Sequence, residues 1–496
     1  MFRIQSKRLM KYPIGIVSFD RPHYLAEHLK SLSAQAGRVL SGREIHLFQD
    51  GAATGQHRYA NQDNIDECIR LFRKTFPRGF VHTSEENIGH IRNVLRMEEF
   101  FFAGTAQWPA AMFFEDDLVV SRHYVSAMDR LIAHALEAGD VSYVRCIHPG
   151  RPDIGEQRLN KHKTFLAPTG PMWGYGITRE YWQKERAVLD PFYCMAETHP
   201  YRALDQNLAQ LQWWRIDAPI QFSELDYAKV AATKYLGYAQ LGTYCLAARY
   251  IGKQGVHYNA DIFERLGWHL LQLFTEPLGK FDFPSAEEKR AAIVAQREAN
   301  LAGQRIKLNL GIETECHPTM GWLNINRKYG FDLANVPLRP FKDDSVEVVY
   351  SSHVLQQLQP QHCVALLRDI HRVLKADGVV RISGLSLEIL TEQMLQGDCH
   401  MESYLDAFWP ERDHNRSAAA YYLRLLGSGT DLYGAASEYG QITPLDFHSI
   451  AYMLIAAGFE PSKIRRCRYR SSSLAELREG SFDSRANHSF FVEAVK

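Results

Sequence analysis

The stretch Ala110-Ala111-Met112-Phe113-Phe114-Glu115-Asp116-Asp117 decides how this chain is read. Five apolar residues, enough for a buried strand, end abruptly in three acids, and Leu118-Val119-Val120 follows at once. Core packing gives no reason for three adjacent carboxylates there, because like charges repel and each loses its water. A divalent cation shared with a diphosphate would make them favourable, since hard oxygen ligands suit Mg2+ or Mn2+. The competing reading is a solvated acidic turn, and the stretch alone does not separate the two.

The surroundings do. From about Tyr12 to Asn259, short apolar strands alternate with amphipathic helices. Residues 13–19 and 44–49 read as strands, and 24–32, 65–72 and 91–102 as helices. This order predicts a mainly parallel sheet with ligands at the carboxyl ends of its strands. Asp20, Asp50 and Asp117 all fall at such ends, which brings them toward one site. A polar stretch with Pro and Gly, 276–284, and a charged helix, 285–302, then read as a linker over 276–304. A second strand–helix series begins at Arg305-Ile306-Lys307-Leu308-Asn309-Leu310-Gly311. The expected division is 1–275, linker 276–304, and 305–496.

At 496 residues the chain is long enough for two or three cores. Lys plus Arg (57) equals Asp plus Glu (57), so no global basic field recruits nucleic acid or an anionic membrane. The eight cysteines are scattered without a CxxC pair, which argues against a zinc ribbon or a disulfide framework and suits a reducing compartment. No apolar signal region follows the basic start, and no window approaches the ~20 apolar residues that span a bilayer. These features lead us to expect a cytoplasmic protein.

Several motifs of the first half now carry a resemblance: Ser18-Phe19-Asp20-Arg21-Pro22, Gln49-Asp50-Gly51, Asn87-Ile88-Gly89-His90-Ile91-Arg92-Asn93, Glu115-Asp116-Asp117, Pro171-Met172-Trp173-Gly174-Tyr175-Gly176 and Lys253-Gln254-Gly255-Val256-His257. In order and spacing, residues 12–260 resemble GT-A-fold glycosyltransferases, and within them the N-acetylglucosaminyltransferase I group. The resemblance implies a metal-dependent, inverting enzyme of bacterial polysaccharide synthesis. It would transfer a hexosyl or N-acetylhexosaminyl group from a nucleoside-diphosphate sugar, UDP-linked, to a glycan or glycoconjugate acceptor. Asp117, with His257, would hold Mn2+ or Mg2+. Ser18, Asp20, Arg21, Asp50, Arg92, Asn93, Glu115 and Asp116 would bind the nucleotide sugar. The inverting reaction needs a base for the acceptor hydroxyl. The candidates are Asp205, preferred because it opens an amphipathic helix, and Glu197. Trp173 and Tyr175 would form an acceptor platform, whereas Trp213 and Trp214 read as core.

The second half carries another resemblance. Residues 307–311, 321–326, 340–355, 371–383 and 489–495 are similar to the strands, turns and one helix of a class I methyltransferase. Three positions depart from the S-adenosylmethionine site of that family. Gly311-Ile312-Glu313 replaces the usual Gly-x-Gly turn, Asn326 stands where an acid grips the ribose, and Gln356-Gln357 replaces Glu-His. Together they imply a Rossmann-like domain that has lost methyl transfer. The fold class expected is therefore α/β, a GT-A domain followed by a second Rossmann-like domain. Two rivals stay open: a bifunctional glycosyltransferase and S-adenosylmethionine-dependent methyltransferase, and a non-catalytic nucleotide-binding scaffold.

Overall fold

The computed structural model describes residues 10–52, 61–104, 108–148, 150–166, 173–198, 225–254, 259–302, 305–311, 322–329, 331–334, 338, 341–396, 445–478, 482–483 and 486–496. The chain divides into two compact units, Met1–Gly303 and Gln304–Lys496.

The first unit opens with β1 (Ile14–Ser18), α1 (Pro22–Ser33), β2 (Ile45–Gln49), α2 (Gln62–Thr75), β3 (Phe80–Thr83), α3 (His90–Phe102) and β4 (Ala110–Glu115). It continues with β5 (Leu118–Val120), α4 (Tyr124–Ala138), β6 (Val141–Arg145), α5 (Ile154–Leu159), β7 (Thr164–Leu166), β8 (Gly174–Thr178) and α6 (Arg179–Thr198). Beyond 199–224 come α7 (Leu225–Leu236), β9 (Ala239–Thr243), β10 (Ala248–Tyr250), α8 (Ala260–Arg265) and α9 (Ala286–Ala302).

Eight strands form one sheet in the order β3-β2-β1-β4-β8-β6-β9-β7. The β3-β2-β1-β4 side is parallel throughout. The other side is mixed, because β8 runs antiparallel to both β4 and β6, and β7 antiparallel to β9. With β6 parallel to β9 the sheet is mainly parallel, as expected, and the directions of β8 and β7 are what an apolar run does not fix. Successive side chains leave opposite faces of the strands. Ile14, Ile16, Met112 and Phe114 pack with Leu25, Leu29 and Met128, while Val17, Phe113 and Tyr175 pack with Val94, Phe101 and Trp182. Both faces are covered, which is why the strands read as continuous apolar runs.

Register positions the acids. Val17 pairs with Glu115, so the chain leaving β1 at Asp20-Arg21 emerges beside the chain leaving β4. The small antiparallel pair β5–β10 then brings residues 251–254 onto the same corner. Residues of the expected linker pack on the first unit. Leu278 and Phe281 are buried in the first core, and Arg130 Nη2 donates to the Leu278 carbonyl at 3.1 Å. Ser285 and Glu288 close a reciprocal cap at the start of α9, which Lys289 ties to Asp140.

Below the sheet edge lies a buried ionic cluster. Lys229 of α7, 1% exposed, donates to Glu98 of α3 at 2.9 Å and to Glu185 of α6 at 3.2 Å. Tyr175 donates to Glu98 at 2.5 Å, Trp182 Nε1 to the same carboxylate at 3.2 Å, and Tyr143 to Glu185. One lysine thus joins three helices and two strands. Burial pushes the Glu185 carboxyl up to about 7, opposed by the attraction of Lys229.

The second unit is a six-stranded sheet ordered β12-β11-β13-β14-β16-β15. Its strands are β11 (Ile306–Leu310), β12 (Leu323–Ile325), β13 (Val346–Ser352), β14 (Leu374–Leu385), β15 (Ile464–Cys467) and β16 (Ser489–Val495). The first four are parallel, β16 runs antiparallel to β14, and β15 antiparallel to β16, with α10 (Pro360–Val373), α11 (Leu387–Gln396) and α12 (Phe447–Ala457) among the connections. The chain is α/β throughout, with two Rossmann-like units. Among the described residues, no helix is long and apolar enough to cross a membrane.

Removing Lys229 would leave two buried carboxylates without their cation. Lys229→Met is expected to lose about 3–5 kcal/mol of stability. The loss should be larger at pH 8 than at pH 6. A carboxyl whose folded pKa is raised stabilises only while protonated, and that contribution fades as pH rises through it. Denaturant unfolding at the two pH values measures both effects.

Candidate functional site

At the carboxyl edge of β4 the chain turns tightly between two strands, and the turn is made of acids. Asp116 is 2% exposed and Asp117 1%, while Glu115 is half-buried. Arg21, just before α1, bridges the pair, donating to Asp116 Oδ1 and, at 2.8 Å, to Asp117 Oδ2. The other two oxygens, Asp116 Oδ2 and Asp117 Oδ1, are buried without a hydrogen-bond partner. Unpaired buried charge is costly, and two such atoms on adjacent residues make this turn the candidate site. Burial pushes the Asp117 carboxyl up to about 6; Arg21 opposes this and Asp116 adds to it. Glu115 is held well above the usual carboxylate range by burial, then by Asp117 and Asp226. Among the described residues, no group of three His, Cys, Asp or Glu side chains is arranged to hold a metal alone.

Next to the acids is a cavity lined at its depth by Val17, Val94, Met97 and Phe113, and at its charged side by Glu115, Asp226, His90 and Lys229. His90 Nε2 stands 3.9 Å from Glu115 Oε1. Asp226, in the first turn of α7, is half-buried. Sequence reasoning missed it, because Ser-Glu-Leu-Asp reads as an ordinary acidic helix start.

The other expected residues divide. Asp20 is half-buried at the end of β1, and burial raises its carboxyl pKa against the pull of Arg21. Ser18 is buried beside the Cys68 thiol. Asp50 reaches the same edge, but its oxygens accept from the backbone amides of Gly51 (2.9 Å), Ile88 (2.9 Å) and Gly89 (3.0 Å). It therefore latches the 84–89 turn. Gly51 is required for that fit, since a Cβ there would lie 2.6 Å from the Ser84 carbonyl oxygen. Asn93 turns inward, donating to the Phe48 carbonyl at 3.0 Å and accepting from Arg96, while Arg92 is exposed.

Trp173 and Tyr175 do not form an open platform. Trp173 stacks on Tyr250 with centroids 3.9 Å apart, and Tyr175 belongs to the buried Glu98 cluster. Glu197 is exposed in the last turn of α6 and does not line the cavity. Asp205, His257, Trp213, Trp214 and Glu313 lie outside the described residues. Gly252 is a further position that the sequence did not single out. A Cβ there would meet Asp117 Oδ2 at 2.5 Å, so glycine lets the chain after β10 press against the acid.

In the second unit, Gly311 follows β11 and donates its amide to the Ile325 carbonyl at 3.1 Å, and Asn326 is buried at the end of β12. His353, with φ +56°, follows β13. Its ring bonds Ser489 at 3.0 Å and Gln356 at 3.2 Å, and Gln356 Oε1 accepts from the Leu385 amide. These bonds join the ends of β13, β14 and β16.

A family described as "Methyltransferase domain" matches residues 323–382. No curated protein sequence matches the chain. Similar solved structures include PigF with SAH, at 13% identity and TM-score 0.22, where the alignment covers 39% of this chain and half of that one. An S-adenosylmethionine-dependent methyltransferase from Mesorhizobium loti aligns at 15% identity and TM-score 0.22, over 39% of this chain and 91% of its own. TarS 1-349 from S. aureus aligns at 13% identity and TM-score 0.27, over 58% of this chain and 72% of its own. The family match places a methyltransferase-like segment, 323–382, within the second unit.

A buried acid with a raised pKa burdens the fold. The folded carboxyl of Asp117 holds its proton more tightly than the unfolded one, so the stability it contributes is complete below 3.8 and lost as pH rises through about 6. Asp117→Asn, which cannot ionise, should be more stable than the wild type by about 1–3 kcal/mol at pH 7.5. The advantage should close toward pH 4. Urea unfolding in chelator-treated buffer at both pH values tests this; equal stability at pH 7.5 contradicts it.

Proposed function

We propose that the first unit is a metal-dependent, inverting glycosyltransferase, taking a sugar from a nucleoside diphosphate (UDP in our reading) to a hydroxyl of a glycan or glycoconjugate. The observation that supports it is the pair of unpartnered buried oxygens, Asp116 Oδ2 and Asp117 Oδ1, at the carboxyl edge of a Rossmann-like sheet. The donor set fits the group: two hard carboxylates suit Mg2+ or Mn2+ when substrate phosphates supply the remaining ligands. Bound there, the cation would act as a Lewis acid, neutralising charge on the departing diphosphate.

The chain's own residues supply the rest. Asp20 faces the nucleotide from the end of β1, and Arg21 lies close enough to the acids to meet a diphosphate. Asp226 takes the base role first considered for Asp205 and Glu197, since it shares the cavity with Glu115. It receives the proton of the acceptor hydroxyl as that oxygen bonds to the anomeric carbon, and the bond from that carbon to the diphosphate oxygen breaks on the opposite face.

We further propose that the methyltransferase-like unit has lost methyl transfer. Asn326 in place of an acid supports this, as do the internal bonds that engage His353 and Gln356. Calorimetry of the full chain with S-adenosylmethionine should detect no binding. A micromolar dissociation constant would make the protein bifunctional instead.

A panel of nucleotide sugars assayed for Mn2+-dependent hydrolysis and transfer tests the main reading. Asp226→Asn should lower kcat by about 10²–10⁴ while UDP binding persists. Unimpaired turnover in that variant, or a wild type inert toward every donor, would overturn the assignment.

A further inference from the structure

We propose that Arg21 is a built-in stand-in for the cation, holding the acid pair until a diphosphate draws it away. The inference rests on the glycosyltransferase reading and concerns how the site loads. Arg21 contacts one oxygen of each acid, Asp116 Oδ1 and Asp117 Oδ2, and feels Glu115 as a further attractive charge. Its guanidinium also reaches the Gln254 carbonyl at 3.4 Å and lies 5.4 Å from the centre of the Tyr24 ring. The side chain is 26% exposed, against 2% for each acid, so it has a route to solvent that the acids lack.

The surroundings hold this arrangement as a unit. The Tyr24 hydroxyl accepts from the amides of Lys253 (2.9 Å) and Gln254 (3.0 Å), and the Ile251 amide donates to the Asp117 carbonyl at 2.9 Å. The start of α1, the acid turn and the chain after β10 therefore close around one guanidinium. A divalent ion arriving alone at the two open oxygens meets the repulsion of the guanidinium that already bridges the other two. A divalent ion arriving with a diphosphate does not. The carboxylates exchange Arg21 for the ion, while Arg21 exchanges carboxylates for phosphate oxygens, to which its fork is matched. Metal and nucleotide binding are then positively coupled, and by linkage each strengthens the other equally.

Full-length protein is titrated with Mn2+ by electron paramagnetic resonance, with and without UDP. The wild type should bind Mn2+ weakly alone and much more tightly with UDP. Arg21→Met should bind Mn2+ alone about tenfold more tightly, with the UDP-dependent gain reduced toward one. Arg21→Lys, which keeps the charge, should stay near the wild type. Arg21→Gln should repeat the Met result, so a folding defect particular to one side chain does not decide the matter. If the wild type forms the Mn2+–UDP complex but neither neutral variant gains affinity for Mn2+ alone, the stand-in role is wrong and the transferase reading survives. If the wild type shows no Mn2+ binding even with UDP, the reading itself falls and this inference with it.

Discussion

The interaction on which the first unit depends is the repulsion among Glu115, Asp116 and Asp117, confined to the end of one buried strand. Adjacent acids on an exposed turn cost little, because water separates their fields. Here Asp116 and Asp117 are nearly inaccessible, and a shared guanidinium relieves only half of their oxygens. The parallel register of β1 with β4 makes that relief available, since it sets Arg21 opposite the acids. Gly252 does the same from the other side, allowing the chain after β10 to close on Asp117 without a side chain in the way.

A second, deeper electrostatic arrangement supports the first. Lys229 sits one turn beyond Asp226 on α7 and anchors that helix to α3 and α6 through Glu98 and Glu185. Replacing a buried ion group by apolar side chains is often neutral or stabilising, so the cluster is weak evidence for stability as such. Its geometric effect is more informative. An ion pair in a low-dielectric interior has few alternative positions, so it fixes the rotation of α7 and with it the direction in which Asp226 faces. Glu115 of the acid turn and Lys229 of this cluster line the same cavity.

Much of this was legible in the sequence where periodicity carries the information. The apolar runs of β1, β2 and β4 and the acids that end β4 follow from such patterns, whereas the strands β11–β14 and β16 are read through the resemblance to methyltransferases and β15 is not read. What was not legible is direction, orientation and partnership. Residues 174–176 read only as part of a motif, and the structure makes 174–178 a strand antiparallel to β4. Asp50 and Asp117 look alike as acids after strands, yet one is satisfied by three backbone amides and the other is not. Trp173 and Tyr175 could have faced solvent or core on sequence alone. Lys229 was invisible, because a lysine in a helix reads as surface until its neighbours are known.

The contrast between the two units turns on how polar groups at carboxyl strand ends are used. In the second unit, His353 and Gln356 bond to each other and to Ser489 and the Leu385 amide, and the atoms left over, Ser351 Oγ and Gln357 Oε1, are neutral. A buried neutral acceptor without a partner costs about 1–3 kcal/mol, and an ionised one more. In the first unit the atoms left over at such ends include the neutral Ser18 Oγ and Gln49 Oε1 but also two carboxylate oxygens, one of them on a group already displaced toward its protonated form. A fold keeps such a penalty only where something later relieves it. Carboxylates that lack half their partners therefore support the proposal of a ligand in the first unit more than the sheet topology does.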